Sequence, residues 1–192
     1  MQRTIMILGV CGSLLSASCS KKEPVAKVQT STPAPATEAK PPIEACTLLT
    51  SAEIESVQGQ AVQQTTPSVQ SPGGLALAQC YFALPTHSNS VVLTVTQEAA
   101  GTEAGAVKKS WEQIFSAAGK REHEGEEKEE KQPPLKVEGL GEAAFWVGSH
   151  VGGALYVLQG ESYIRISVGG PGDTAAKIDK SKRLAEFALK RL

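Results

Sequence analysis

The clearest strand signal in the chain is Ser90-Val91-Val92-Leu93-Thr94-Val95-Thr96-Gln97, residues 90–97. Its odd-numbered positions from 91 to 95 are valine or leucine, and threonine occupies two of the even-numbered ones. Alternation with a period of two is typical of a strand that packs one face on a core. Residues 90–97 therefore predict an antiparallel sheet as the centre of the fold.

Further strand candidates lie on both sides of this stretch. They are short runs of β-branched, aromatic and aliphatic residues bounded by glycine, proline or serine. The chain predicts strands at residues 61–66 and 75–84, one or two strands within 135–147, and a hairpin of 154–158 with 162–168. In the last of these, Tyr163 and Arg165 face one way, and Ile164 and Ile166 face the other.

Three helices complete the pattern. Thr50-Ser51-Ala52-Glu53 is a capping box that starts a short helix through Val57, and Gly59 ends it. Apolar residues at helical spacing predict an amphipathic helix over residues 102–118, with Trp111 on its apolar stripe. Asp173 can cap a last helix that runs to the C-terminus.

These elements together predict an α+β domain over residues 44–192. We expect a largely antiparallel sheet of about six strands, with the two longer helices on one face. The order of three strands and a helix occurs twice and suggests a duplicated βββα unit. A domain of about 150 residues can bury roughly 70 % of its unfolded surface without a metal or a cofactor, and we expect neither.

The N-terminus has the pattern of an export signal. Residues 5–15 are mostly apolar and too short to span a bilayer, and Ser16-Ala17-Ser18 precedes Cys19. This junction resembles the bacterial lipobox, although Ser16 stands where that motif usually has leucine. The resemblance implies a signal peptide at residues 1–18 and a lipid on Cys19. The alternative is a plain secreted protein in which Cys19 carries nothing.

A tether follows the lipidation site. Residues 19–43 are rich in Pro, Ala, Thr, Lys and Glu, and we expect them to stay disordered and hold the domain near a membrane. We therefore expect the lipid on Cys19 to anchor the chain to a membrane. Ser20 rather than aspartate follows the cysteine, which favours the periplasmic side of an outer membrane where the cell has one.

Two cysteines remain in the domain, Cys46 and Cys80. In an oxidising compartment an even pair predicts a disulfide bond. The alternative is a metal or redox site of two thiols, but no CxxC spacing accompanies it.

Composition and motifs exclude several classes of function. The chain has 19 Lys and Arg against 20 Asp and Glu, so no basic excess points to nucleic acid. The histidines, His87, His123 and His150, lie in separate predicted loops without metal-ligand spacing. No nucleophile elbow or phosphate-binding motif is present, and we predict no catalytic site.

The domain also resembles a group of bacterial envelope proteins of unknown function, many of them lipoproteins. The likeness lies in the opening Ala45-Cys46-Thr47-Leu48-Leu49-Thr50, in Cys80-Tyr81, and in the stretches 139–146 and 155–160. It implies a disulfide bond and an envelope location, and it supplies no active-site residues.

We therefore expect a membrane-anchored envelope lipoprotein whose domain binds a ligand, an envelope protein or a cell-wall component without catalysis. Tyr163, Arg165 and Trp146 are the candidate binding surface, the last beside Glu142. One alternative is an envelope enzyme in which His87 or His150 meets Glu142 in one cleft. Another is an accessory subunit of an envelope complex.

Overall fold

The computed structural model describes residues 41–102, 104–116, 133–149 and 152–192. The predicted signal peptide, Cys19 and nearly all of the tether lie outside these ranges, as do His123 and His150. The helices are α1 (Ser51–Gln58), α2 (Ala106–Ser116) and α3 (Thr174–Leu189). The strands are β1 (Gln64–Gln70), β2 (Leu75–Ala83), β3 (Val91–Glu98), β4 (Leu135–Lys136), β5 (Ala143–Ser149), β6 (Gly152–Gln159) and β7 (Ser162–Val168). Short 3-10 turns lie at Ala45–Thr47 and His87–Asn89.

The seven strands form one antiparallel sheet in the order β1-β2-β3-β7-β6-β5-β4. The strand predicted from residues 90–97 is β3, an interior strand beside the middle strand β7. It pairs with β2 on one side and with β7 on the other, where Leu93 lies opposite Ile166. The α+β class and the antiparallel sheet are confirmed, with seven strands rather than about six because the stretch 135–147 supplies both β4 and β5.

The main core covers one face of the sheet, which we call the disulfide face because Cys80 points to it. Alternate residues of β2, β3, β6 and β7 are buried there under α1 and α3. The strands contribute Ala78, Cys80, Phe82, Val91, Leu93, Val95, Leu155, Val157, Ile164, Ile166 and Val168, and the helices contribute Ile54, Val57, Leu184, Ala185 and Ala188.

Helix α2 packs on the opposite face, which we call the α2 face. Its Val107 and Trp111 are buried against Tyr163 of β7. The expectation that both longer helices share one face is therefore wrong. The strands β5, β6 and β7 carry apolar or aromatic residues on both sides, so each side of the sheet has a surface that a helix can bury.

The strand order is compatible with the suggested duplication, but the helices are not. The strands β1, β2 and β3 lie on one side of the β3–β7 junction, and β5, β6 and β7, with the two-residue β4 beyond them, lie on the other. A two-fold axis perpendicular to the sheet would relate these halves and keep corresponding helices on one face. Since α2 and α3 lie on opposite faces, the two halves are not copies of a single βββα unit.

The chain enters the sheet through a disulfide bond and a pair of side-chain hydrogen bonds. Cys46, in the first 3-10 turn, is bonded to Cys80 on β2, with 5.0 Å between the Cα atoms, which confirms the predicted bridge. The two cysteines are 34 residues apart in the sequence. On the chain-entropy model, closing a loop of that length stabilises the fold by about 3–4 kcal/mol. The buried Gln97 accepts a hydrogen bond from the Ile43 amide at 2.9 Å and donates one to the Pro41 carbonyl.

Both predicted helix caps are present. Thr50 accepts a hydrogen bond from the Glu53 amide, and the Glu53 carboxylate accepts one from the Thr50 amide, so the capping box is complete. Asp173 accepts a hydrogen bond from the Ala176 amide at the start of α3. Because both caps depend on residues three apart, they could be predicted from local sequence alone.

Glu53 also joins α1 to the C-terminus. Its two carboxylate oxygens accept hydrogen bonds from Arg191 at 3.0 and 2.8 Å, and Arg191 also donates to the Leu48 carbonyl. The Arg191 hydrogen bond holds the pKa of Glu53 below its ordinary value of 4.5, against the opposing effect of burial. The ionised carboxylate is therefore the form that the folded state prefers.

This ion pair predicts a pH-dependent difference in stability between the wild type and Glu53→Gln. Because the folded pKa is lowered, the contribution of Glu53 is fully present above its unfolded value of about 4.5 and is lost as the pH falls through the folded value. Glutamine keeps the capping box but not the charge. Urea unfolding from pH 7 down to pH 2.5 should show the wild type more stable near neutrality and the gap closing in acid.

Glu55→Gln is the matched control, since Glu55 is an exposed neighbour on α1 with no ion pair among those described. Its stability curve should run parallel to that of the wild type. A constant gap between wild type and Glu53→Gln across the acid range would contradict the assignment.

Candidate binding surface on the α2 face

Five aromatic rings form a cluster beneath α2. Phe115 lies 4.4 Å from Trp111 and 4.7 Å from Phe145 between ring centroids, and it meets Tyr156 edge-on at 5.6 Å. Trp111 lies 5.7 Å from Tyr163. Such tilted and offset arrangements stabilise aromatic pairs beyond the area they bury. The cluster therefore fixes α2 on β5, β6 and β7.

Tyr163 is part of this cluster and is almost entirely covered, at 6 % exposure. Its hydroxyl lies 3.2 Å from the Ser110 hydroxyl on α2, so the polar end of the ring has a partner. A side chain in this position holds a helix in place. It does not present a surface to a ligand as the candidate binding surface requires.

Arg165 follows Tyr163 by two residues on β7, so it lies on the same face of the sheet, and it is only half-buried. Its Nε donates a hydrogen bond to the Tyr156 hydroxyl at 3.1 Å, and its guanidinium carbon lies 5.8 Å from the centroid of that ring. In the part of the chain that the structure describes, no carboxylate forms an ion pair with it. The guanidinium is thus held by an aromatic ring rather than neutralised by an acid.

Two small hydroxyl residues share the sheet face of Arg165, one on β3 and one on β7. Thr94 of β3 is directly opposite Arg165, and Ser167 follows two positions later on β7. The Ser167 hydroxyl donates to the Gly153 carbonyl at 2.9 Å, while Thr94 is half-buried. Since a guanidinium recognises carboxylate with two parallel hydrogen bonds, this surface suits a ligand that carries one.

Trp146 does not belong to this surface. It lies on β5 opposite Leu155 and points to the disulfide face, where it is 3 % exposed. Its indole ring packs against Gly148 and Gly153, where an added Cβ would overlap it. Its Nε1 has no hydrogen-bond partner within the described ranges. The structure therefore brings Arg165 and Tyr163 to one face but separates Trp146 from both.

The residues proposed for an enzymatic site are also separated. His87 lies in the turn before β3, at the end of the sheet where Val91 pairs with Val168. Glu142 precedes β5 at the opposite end and accepts a hydrogen bond from the Gly160 amide. The two therefore cannot share a cleft, and His150, the other proposed partner of Glu142, lies outside the described residues. No group of three or more metal-ligating side chains occurs within the ranges that the structure describes.

The contact of Tyr156 with Arg165 could not be found from residue type alone. The strand of Tyr156 was predicted, but the partner of Arg165 depends on which strand lies beside β7. The hairpin register places Tyr156 opposite Arg165. That register could have been counted from the tight Gly160-Glu161 turn.

No family model, curated protein or solved structure matches this chain. Among the helices that the structure describes, none is long and apolar enough to cross a membrane.

The packing of Trp146 predicts that alanine destabilises the protein at one of two adjacent glycines and has little effect at the other. Gly153→Ala would place a methyl group against the buried indole and should lower the free energy of unfolding by about 1–3 kcal/mol, since an overpacked core must shift. Gly152→Ala is the control, because the added methyl meets nothing within 4 Å there. Guanidinium unfolding followed by tryptophan fluorescence would measure both. Equal stabilities of the two variants would contradict the placement of the ring.

Proposed function

We propose that this protein is a lipid-anchored envelope protein whose domain binds a partner without catalysis. The observation that carries this proposal is the Cys46–Cys80 bond, because structural disulfides persist in oxidising compartments outside the cytosol. The lipobox-like junction at Cys19 supports the same location. A tether of about 24 residues between that cysteine and the domain allows a reach of roughly 25–30 Å.

The binding surface that the geometry favours is centred on Arg165, with Tyr156 as its support. The arginine is oriented before any ligand arrives, because its Nε is already engaged by the Tyr156 hydroxyl. Pre-orientation reduces the entropy lost on binding. We infer that the ligand offers a carboxylate, as an envelope protein or a cell-wall peptide can.

Anchoring predicts a specific effect of Cys19→Ser. Full-length wild type should enter the detergent phase on phase separation and carry a lipid-sized mass increase, while Cys19→Ser should remain in the aqueous phase. Cys11→Ser is the matched control, because this cysteine would leave with the signal peptide. An unmodified wild type found in the aqueous phase would contradict the lipoprotein assignment and leave a plain secreted protein.

Binding through Arg165 predicts loss of a partner in Arg165→Gln. In-cell cross-linking of the full-length protein, followed by mass spectrometry, should recover a dominant partner with the wild type and about tenfold less with the variant, since charge-assisted hydrogen bonds contribute about 1.5–3 kcal/mol. Arg183→Gln is the control, because Arg183 is an exposed arginine on α3, across the sheet. Unchanged recovery with Arg165→Gln would exclude Arg165 from the interface.

A further inference from the structure

Strand β1 is an edge strand that buries no side chain. All seven of its residues are exposed, on both faces of the sheet, and Val69 is 64 % exposed. It is held by its pairing with β2, from Gln64 opposite Ala83 to Gln70 opposite Leu77. Among the strands described, none lies on its other side. The feature that β1 offers is therefore its free backbone edge.

Pro67 shows which backbone groups point to that edge. Proline has no N–H, so the pair of Pro67 with Cys80 must be a non-hydrogen-bonded pair of the antiparallel ladder. The residues on either side then bond to β2, and the backbone groups of Thr65, Pro67 and Val69 point outward. This leaves two N–H groups and three carbonyls available to an added strand.

The edge carries none of the charges that usually protect such strands. From Ser56 to Gln97 the chain contains no Asp, Glu, Lys or Arg. Natural edge strands are commonly blunted by lysine, inward-pointing charges, bulges or proline. Of these devices, the residues of β1 include only Pro67, which removes one donor from the outer edge.

A small apolar hollow adjoins this edge on the disulfide face. It has a volume of about 190 Å³, enough for one aliphatic side chain, and Val69 forms part of its rim. The rest of its lining is Pro42, Ser71, Ala76, Gln97, Glu98, Ala99 and Ala100. The one charged group among them, the Glu98 carboxylate, accepts a hydrogen bond from the Gly105 amide. Recognition by strand addition commonly combines backbone hydrogen bonds with a pocket of this kind for alternate side chains.

We propose that the free edge of β1 accepts an extended, uncharged strand from a different protein, with one aliphatic side chain in the hollow beside Val69. A strand without charges matches an edge without charges. A second copy of this chain fits less well, because pairing β1 with itself would place two Pro67 residues in one ladder and remove two donors. Since Pro42 lines the hollow, the partner would bind where the tether joins the domain. The proposal does not depend on Arg165 or on Cys19.

The test is site-specific photo-cross-linking of the full-length protein in the cells that produce it. p-Benzoylphenylalanine would replace Val69, beside the hollow, or Thr66, on the other side of β1, and Arg183 on α3 would serve as the control position. We expect one adduct from both β1 positions, with the linked peptide an uncharged segment of another protein, and no such adduct from Arg183.

Thr65→Pro then tests whether the backbone edge carries the contact. This variant removes an outward N–H that β2 does not use, so its melting temperature should equal that of Thr65→Val. The adduct at position 69 should fall about three- to tenfold in Thr65→Pro, as expected for one ladder hydrogen bond, and persist in Thr65→Val. An adduct between two copies, an adduct unaffected by Thr65→Pro, or no adduct from β1 would each overturn the proposal.

Discussion

The pairing of β3 with β7 is the constraint on which the rest of the structure depends. It joins segments about seventy residues apart in the chain, with Val91 opposite Val168 and Val95 opposite Ile164. Loop closure over that distance costs entropy that local contacts do not offset. Burial on both faces of the sheet offsets it. The aliphatic residues of the two strands fill the core under α1 and α3, while Thr96 and Tyr163 are buried beside α2.

This constraint explains which parts of the fold could be predicted from the sequence. The capping box at Thr50, the cap at Asp173 and the alternation of β3 and β7 depend on residues a few positions apart, and each was confirmed. The face of the sheet on which a helix packs depends instead on the path of the chain between distant segments. The apolar stripe of α2 indicated that the helix would be buried, but local spacing does not determine which side of a sheet the chain crosses to after β3.

The candidate site shows the same division. Tyr163 and Arg165 were correctly placed on one strand face, because alternation along β7 decides it. Trp146 was grouped with them on the strength of its aromatic ring, but its position on β5 opposite Leu155 directs it into the main core. The same register argument, applied to β6, would have identified Tyr156 as the neighbour of Arg165. Residue type suggested a binding surface, and strand register determined which of these residues share a face of the sheet.

If the chain is anchored as proposed, the disulfide bond and Gln97 both hold the segment through which the tether enters the domain. Any pull on the tether reaches the domain at Pro41 to Cys46, where Gln97 of β3 bonds the entering backbone and Cys80 of β2 holds it covalently. Force is then passed to β2 and β3, two neighbouring interior strands of the sheet. The edge strand β1 lies beside this entering segment but carries neither the disulfide bond nor the Gln97 hydrogen bonds. An anchored domain can therefore keep β1 exposed and undistorted beside the membrane-proximal end, which is where the hollow lined by Pro42 would meet a partner.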